Sequence, residues 1–211
     1  MIEPPNTCDL CPRLFEYRLA NKTAEPSWHN APVAAFGSPS AALLIVGLAP
    51  GMAGANRTGR PFTGDFAGDL LYQTLQRHGF TKGHYDKRID DGLTLTNCRI
   101  TNAVRCVPPK NRPNALEINT CRSFLEREIR SLFRLRVILA LGTIAHRSVL
   151  AAVDASSSTY PFSHGALHHL PNGITLADSY HCSRYNTNTG RLTNNMFNKV
   201  IAMVKTLADQ H

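Results

Sequence analysis

The sequence predicts an α/β fold: one domain in which a central four-stranded, mostly parallel sheet lies between helices. Three observations predict it. Short runs rich in Val, Ile and Leu have the near-continuous apolar character of strands buried on both faces. Segments with apolar residues at helical spacing alternate with those runs. The runs lead into polar loops rich in Gly, Pro, Asn and His, as expected where a strand leaves a core.

The first strand is read over Ala41–Leu48 (AALLIVGL), ending in Ala49-Pro50-Gly51. Phe66, Leu70, Leu71 and Leu75 recur at helical spacing, with Asp65 placed as their N-cap. A second strand falls between Leu93 and Val104, followed by a helix from about Asn114 to Phe133 with Leu116, Phe124, Leu125 and Ile129 inward. Val137–Leu141 (VILAL) is the third strand, closed by Gly142, and a helix through His146 and Leu150 follows. The fourth strand, Ile174–Ala177, runs toward His181-Cys182-Ser183, and a last helix carries Leu192, Met196, Val200 and Val204 on one face. Ligands of such sheets bind beyond the carboxyl ends of the strands. Loops 49–65, 102–112 and 181–191 all begin at such ends.

Composition narrows the function. At 211 residues one domain over 1–211 is the expectation, and 43% apolar with 18% charged residues excludes a disordered chain. No run approaches the ~18 apolar residues of a membrane helix. The start, MIEPPNTCDL, has neither the basic nor the apolar region of a secretory signal. Six cysteines are then expected in a reducing cytoplasm, where spaced thiols more often hold metal than pair. The net charge of +8 suits a polyanion, nucleic acid before anionic membrane, although a solvated basic surface would give the same number. No run of five or more Lys/Arg forms a basic tail; Arg57, Arg60, Arg105, Lys110, Arg112, Arg184 and Arg191 are spread along the chain instead.

Four groups of residues carry chemistry. Cys8 and Cys11 form a C-x2-C pair, and Cys106 and Cys121 flank the start of the 114–133 helix; four converging thiolates suit tetrahedral zinc or an iron–sulfur cluster, and core thiols are the plainer alternative. The loop Gly47-Leu48-Ala49-Pro50-Gly51, continued as NRTGRPFTGD (56–65), brings backbone amides near an anion but is neither a Walker loop nor G-x-G-x-x-G. Within it Asp65 is either a cap or a catalytic carboxylate, and Phe62 sits in polar company that suits base stacking better than core packing. Asn102 ends a strand and offers a donor and an acceptor to a planar polar edge, or bonds a local turn. His181 leaves a strand at the same rim, where an imidazole can donate to an oxygen gaining negative charge.

GLAPG (47–51), NRTGRPFTGD (56–65), TNAVRC (101–106), HCSRYN (181–186) and TGRLT (189–193), in this order, resemble the uracil-DNA glycosylase superfamily, most closely its type-5 branch. The similarity runs from Cys8 to the last helix. It implies excision of uracil, and often of hypoxanthine or xanthine, from single- or double-stranded DNA, by a monomeric cytoplasmic enzyme of a bacterium or archaeon, held at the nucleoid through DNA. It implies a [4Fe–4S] cluster on Cys8, Cys11, Cys106 and Cys121. Asp65 and His181 become the catalytic pair; Gly47, Leu48, Ala49, Pro50, Gly51, Phe62, Asn102 and Asn186 the base-binding residues; Arg57, Arg60, Arg184, Tyr185 and Arg191 the DNA contacts. Leu48 separates the branch from type-4 relatives, which usually carry an acidic residue there. One departure stands out: the family's His-Pro-Ser reads His181-Cys182-Ser183, which removes a φ restraint. The competing readings are a type-4 glycosylase and a non-catalytic iron–sulfur protein that binds nucleic acid.

Overall fold

The computed structural model describes residues 3–210. Its helices are α1 (Pro12–Ala24), α2 (Ala55–Thr58), α3 (Phe66–Arg77), α4 (Ala115–Ser131), α5 (Thr143–Ala152), α6 (Arg184–Asn188) and α7 (Asn194–Asp209). Its strands are β1 (Phe36–Gly37), β2 (Leu43–Gly47), β3 (Thr81–Lys82), β4 (Thr94–Leu95), β5 (Cys98–Asn102), β6 (Val137–Leu141), β7 (Leu167–His169) and β8 (Thr175–Ser179). The main sheet has the order β1-β5-β2-β6-β8-β7, and β3 and β4 pair antiparallel in a separate two-stranded sheet. The four inner strands of the main sheet are parallel, and β1 and β7 run antiparallel at the edges. The expected four strands are therefore the parallel centre of a six-stranded sheet. The edge strands of two and three residues are too short to leave a periodic signal.

Every residue of β2, β6 and β8 is buried, because helices cover both faces. Alternate side chains go to opposite layers. Leu43 and Ile45 join Leu71, Leu75, Val200 and Ile201 of α3 and α7, whereas Leu44 and Val46 join Leu125, Ile129 and Val149 of α4 and α5. Asp65 caps α3 as expected. Asn114 and Glu117 form a capping box on α4. That box turns Leu116 outward, 72% exposed, against the expectation of an inward face. No helix among the described residues is long and apolar enough to cross a membrane.

Two of the dispersed arginines, one of them an expected DNA contact, are interior. Arg60 is buried, donates to both carboxylate oxygens of Asp91 at 2.8 and 2.7 Å, and stands over the rings of Phe36, Tyr72 and Tyr85. Burial opposes ionisation of Asp91, but the Arg60 guanidinium and the Asp86 and Leu93 amides outweigh it and hold that carboxyl below its usual range. Arg60 is thus not a DNA contact: its charge is spent inside the fold. Arg105 is likewise buried, paired with Glu3 and Glu128.

Gly47 ends β2 where β5 and the 56–65 loop meet. A Cβ there would lie 2.4 Å from Asn102 Oδ1 and 2.6 Å from Phe62 Cζ. Gly47→Ala is expected to lower the urea midpoint with an unchanged m-value, a loss of about 1–3 kcal/mol typical of overpacking. An unchanged midpoint would mean that Asn102 and Phe62 yield without cost.

Candidate active site

A cavity of about 500 Å³ opens beyond the carboxyl ends of the parallel strands. Its floor is Leu48–Gly51 after β2; its sides are Phe62 and Asp65–Ala67, Asn102 at the end of β5, and His181 and Ser183 after β8. The strand order reverses at β2, and such reversals are where open α/β sheets leave a crevice.

Asp65 enters the cavity because it is the N-cap of α3. Its extended backbone turns the carboxylate back over the first turn, where Oδ1 accepts the Gly68 amide at 3.0 Å. Oδ2 faces the 49–54 loop, so close that a Cβ on Gly54 would come within 2.4 Å. Burial raises the carboxyl above its ordinary value, the Gly68 and Ala67 amides oppose that shift, and the charge of Asp69 adds to it. The group is fixed in direction and poorly hydrated.

Asn102 is buried, and its Oδ1 has no hydrogen-bond partner among the described residues. A buried acceptor without a donor costs about 1–3 kcal/mol, and a bound ligand can relieve that cost. Phe62, against expectation, is both core and wall: 7% exposed, with φ +53, it packs beneath Gly47 and presents its ring to the cavity. The ring stacks on His181 at 5.9 Å between centroids and 29° between planes. Burial pushes the His181 imidazole down to about 4, so it is neutral at physiological pH.

Two base-binding assignments change. Gly47 shapes the cavity by lacking a side chain but does not line it. Asn186 is also outside the lining; its Nδ2 donates to the main-chain oxygen of His181 at 2.8 Å, so it positions the loop. The buried Cys182 thiol points to the Ala67 carbonyl at 3.4 Å, a tie to α3 where proline would have stiffened the backbone itself. At the rim, the exposed Arg184 lies over Phe66, Arg191 over Tyr180, Arg57 is open to solvent and Tyr185 is 72% exposed. Asn111 and Phe66 line the cavity and were not singled out from sequence. The signal for Asn111 was its place in the 102–112 loop, where Lys110 and Asn111 both adopt positive φ.

The four cysteines converge as well. Cys8, Cys11, Cys106 and Cys121 line one small apolar recess between the N-terminal segment, α1, the end of β5 and α4. Burial first, and neighbouring thiols second, push Cys11 up to about 11; burial chiefly pushes Cys106 up to about 12. Such thiols ionise together only beside a strong positive charge. The recess also holds the buried Arg18, whose Nη atoms donate to the Asn6 and Cys8 carbonyls while Nε has no partner. An unpaired donor among four thiols fits an acceptor-rich guest such as a cluster with its sulfides. A separate compact set, His146, His168 and Asp178, is internally hydrogen-bonded, with His146 also bonded to the Tyr160 carbonyl at 2.9 Å.

The family model of the uracil DNA glycosylase superfamily matches residues 34–205. A type-5 uracil-DNA glycosylase of Thermus thermophilus is 45% identical over 98% of this chain and 96% of its own length. One from Mycobacterium leprae is 42% identical over 96% of this chain and 92% of its own. A type-4 uracil-DNA glycosylase of Pyrobaculum aerophilum is 36% identical over only 68% of this chain and 59% of its own. With the family model spanning the whole cavity and type-5 relatives matching nearly end to end, this chain belongs to the type-5 branch of the uracil DNA glycosylase superfamily.

Proposed function

We propose that this protein removes uracil from DNA by hydrolysing the bond between base and deoxyribose, leaving an abasic site for repair. The observation that carries the reading is the meeting of Asp65, Phe62, Asn102 and His181 in one cavity at the strand ends. A base cannot be reached inside the stack, so the nucleotide is first rotated out. In the cavity the base stacks on Phe62. Asn102 Oδ1 accepts the base's ring N–H, and the amide nitrogen donates to the adjacent carbonyl.

The same pairing would admit a wider range of deaminated bases. Uracil, hypoxanthine and xanthine all present a ring N–H beside a carbonyl, the product of deamination. Cytosine and adenine present a bare ring nitrogen to the same atom and leave Oδ1 buried without a donor. At about 1–3 kcal/mol this mismatch disfavours cytosine and adenine roughly 5- to 150-fold; thymine and guanine share the ring N–H and are not excluded by this contact.

As the bond breaks, positive charge grows on the sugar and negative charge on the departing base. Asp65 stabilises the cationic sugar and orients or deprotonates the attacking water. The neutral His181 donates a hydrogen bond to the oxygen of the leaving base, held in place through the Asn186 contact to its carbonyl. No lysine lines the cavity among the described residues, in keeping with water as the nucleophile and a monofunctional enzyme. Arg57, Arg184 and Arg191 meet phosphates, and Tyr185 fills the vacated stack. The enzyme works as a cytoplasmic monomer on single- or double-stranded DNA at the nucleoid.

Cys8, Cys11, Cys106 and Cys121 would hold a [4Fe–4S] cluster that ties the N-terminal segment to β5 and α4, away from the reacting bond. Anaerobically purified protein is expected to be brown, with iron and acid-labile sulfide in equal amounts, and Cys106→Ala to lose both. A colourless protein with one zinc would refute the assignment.

Asp65→Asn preserves the cap, since Asn and Asp cap helices about equally well, but removes the negative charge. The variant is expected to fold and bind DNA while single-turnover excision of uracil slows by at least about 10²-fold. Near-normal excision would reduce Asp65 to a helix cap.

A further inference from the structure

Beside the catalytic cavity, on the other side of the four-residue helix α2, lies an open groove of about 590 Å³ that, Arg57 apart, nothing in the reaction above uses. Its walls carry Lys22, Arg57, Lys87 and Arg88 against one acid, Asp90, and two apolar groups, Trp28 and Ile89. Ile89 is 62% exposed, and Trp28 is half-buried.

The groove and the cavity are built on the same short segment. Ala55 faces the cavity, whereas Arg57 and Thr58 face the groove. The His29 amide donates to the Arg57 carbonyl at 3.0 Å and the Asn30 amide to the Asn56 carbonyl at 3.1 Å, which locks the Trp28 segment to the catalytic loop. The Arg57 guanidinium reaches over Gly64, the residue before Asp65: an added Cβ on Gly64 would lie 2.8 Å from Arg57 Nη2. A strand leaving the cavity past Asp65 therefore meets Arg57 first and the groove next.

The charges are available to a ligand. Arg57 makes no ion pair among the described residues. Lys22 donates only to the Pro26 and Trp28 carbonyls and keeps its charge uncompensated. Lys87 with Asp69 and Arg88 with Asp90 are solvent-facing pairs, a class that contributes little and exchanges readily for phosphate. Spaced cations around a partly exposed aromatic are the features of a single-strand track, in which phosphates follow the charges and a base stacks on the ring.

We infer that this groove is a second nucleic-acid subsite, which holds the DNA strand flanking the excised nucleotide, with phosphates on Lys22, Arg57 and Arg88 and one base stacked on Trp28. The inference rests on the glycosylase reading for the identity of the strand. It makes affinity depend on the length of the flank on one side of the target.

Trp28 is the chain's only tryptophan, so the unmodified protein reports on its own groove. Dye-labelled single strands carrying a non-hydrolysable 2′-fluoro-deoxyuridine would be compared with flanks on both sides, the 5′ side only or the 3′ side only. Anisotropy reads binding, and tryptophan emission reads the groove. The expected result is quenching by the two-flank strand and by one single-flank strand, and none by the other. Trp28→Ala should weaken the quenching strands roughly 5- to 100-fold and leave the other unchanged. Arg88→Gln, at an exposed position, should weaken the same strands without disturbing the fold. Binding of all three strands with unaltered emission would overturn the groove and leave the glycosylase reading standing. Quenching that survives removal of either flank, or that inorganic phosphate reproduces, would also overturn it. Binding of none would refute the glycosylase reading itself.

Discussion

A hydrogen at the end of β2, where other residues would carry a Cβ, sets the geometry of the whole site. Because position 47 is glycine, the Phe62 ring and the Asn102 amide both press onto the strand end, 2.6 and 2.4 Å from where a Cβ would stand. Asn102 hangs from the neighbouring parallel strand, paired in register with Gly47. Phe62 comes from the following loop in a left-handed conformation that extended packing must hold. Their convergence makes one wall that is flat and aromatic and one edge that is polar and unsatisfied. His181 stacks on the first, and Asp65 closes the opposite side from the cap of α3.

Burial acts on the two ionisable groups in opposite directions and divides their roles. It raises the Asp65 carboxyl, while the amides of the helix start restrain that rise. It lowers the His181 imidazole with nothing opposing it. Burial thus makes the Asp65 anion costlier than in water, with the helix-start amides offsetting part of that cost, and keeps the uncapped imidazole neutral. One cavity so pairs a carboxylate for the cationic sugar with a neutral donor for the anionic base.

Much of this was legible in the sequence, for identifiable reasons. Strands such as Val137–Leu141 are buried on both faces and read as unbroken apolar runs, and Asp65 announced its cap by standing before a helical repeat. The misreadings share a cause: sequence shows charge but not its partner. Arg60 looked like a rim cation beside Phe62 and Thr63, yet Asp91, far along the chain, draws it inside. Arg105, to which no role was assigned, is held by Glu3 and Glu128 in the same way. Phe62 was expected to be a free stacking platform because its sequence neighbours are polar, whereas its spatial neighbours are core. The edge strands and Asn111 depend on short or irregular backbone that carries no period. Cys182, seen as a lost restraint, is a buried anchor to Ala67.

The central claim is that an ionised Asp65 and a neutral His181 face the scissile bond together. The pH dependence of single-turnover uracil excision, measured with saturating enzyme, tests it most directly. The account predicts a rate that does not fall as pH rises through neutrality and falls only toward acid, as Asp65 and then His181 take protons. A rate that falls as pH rises through about 6.5 would place a protonated imidazole at the leaving base and contradict the account.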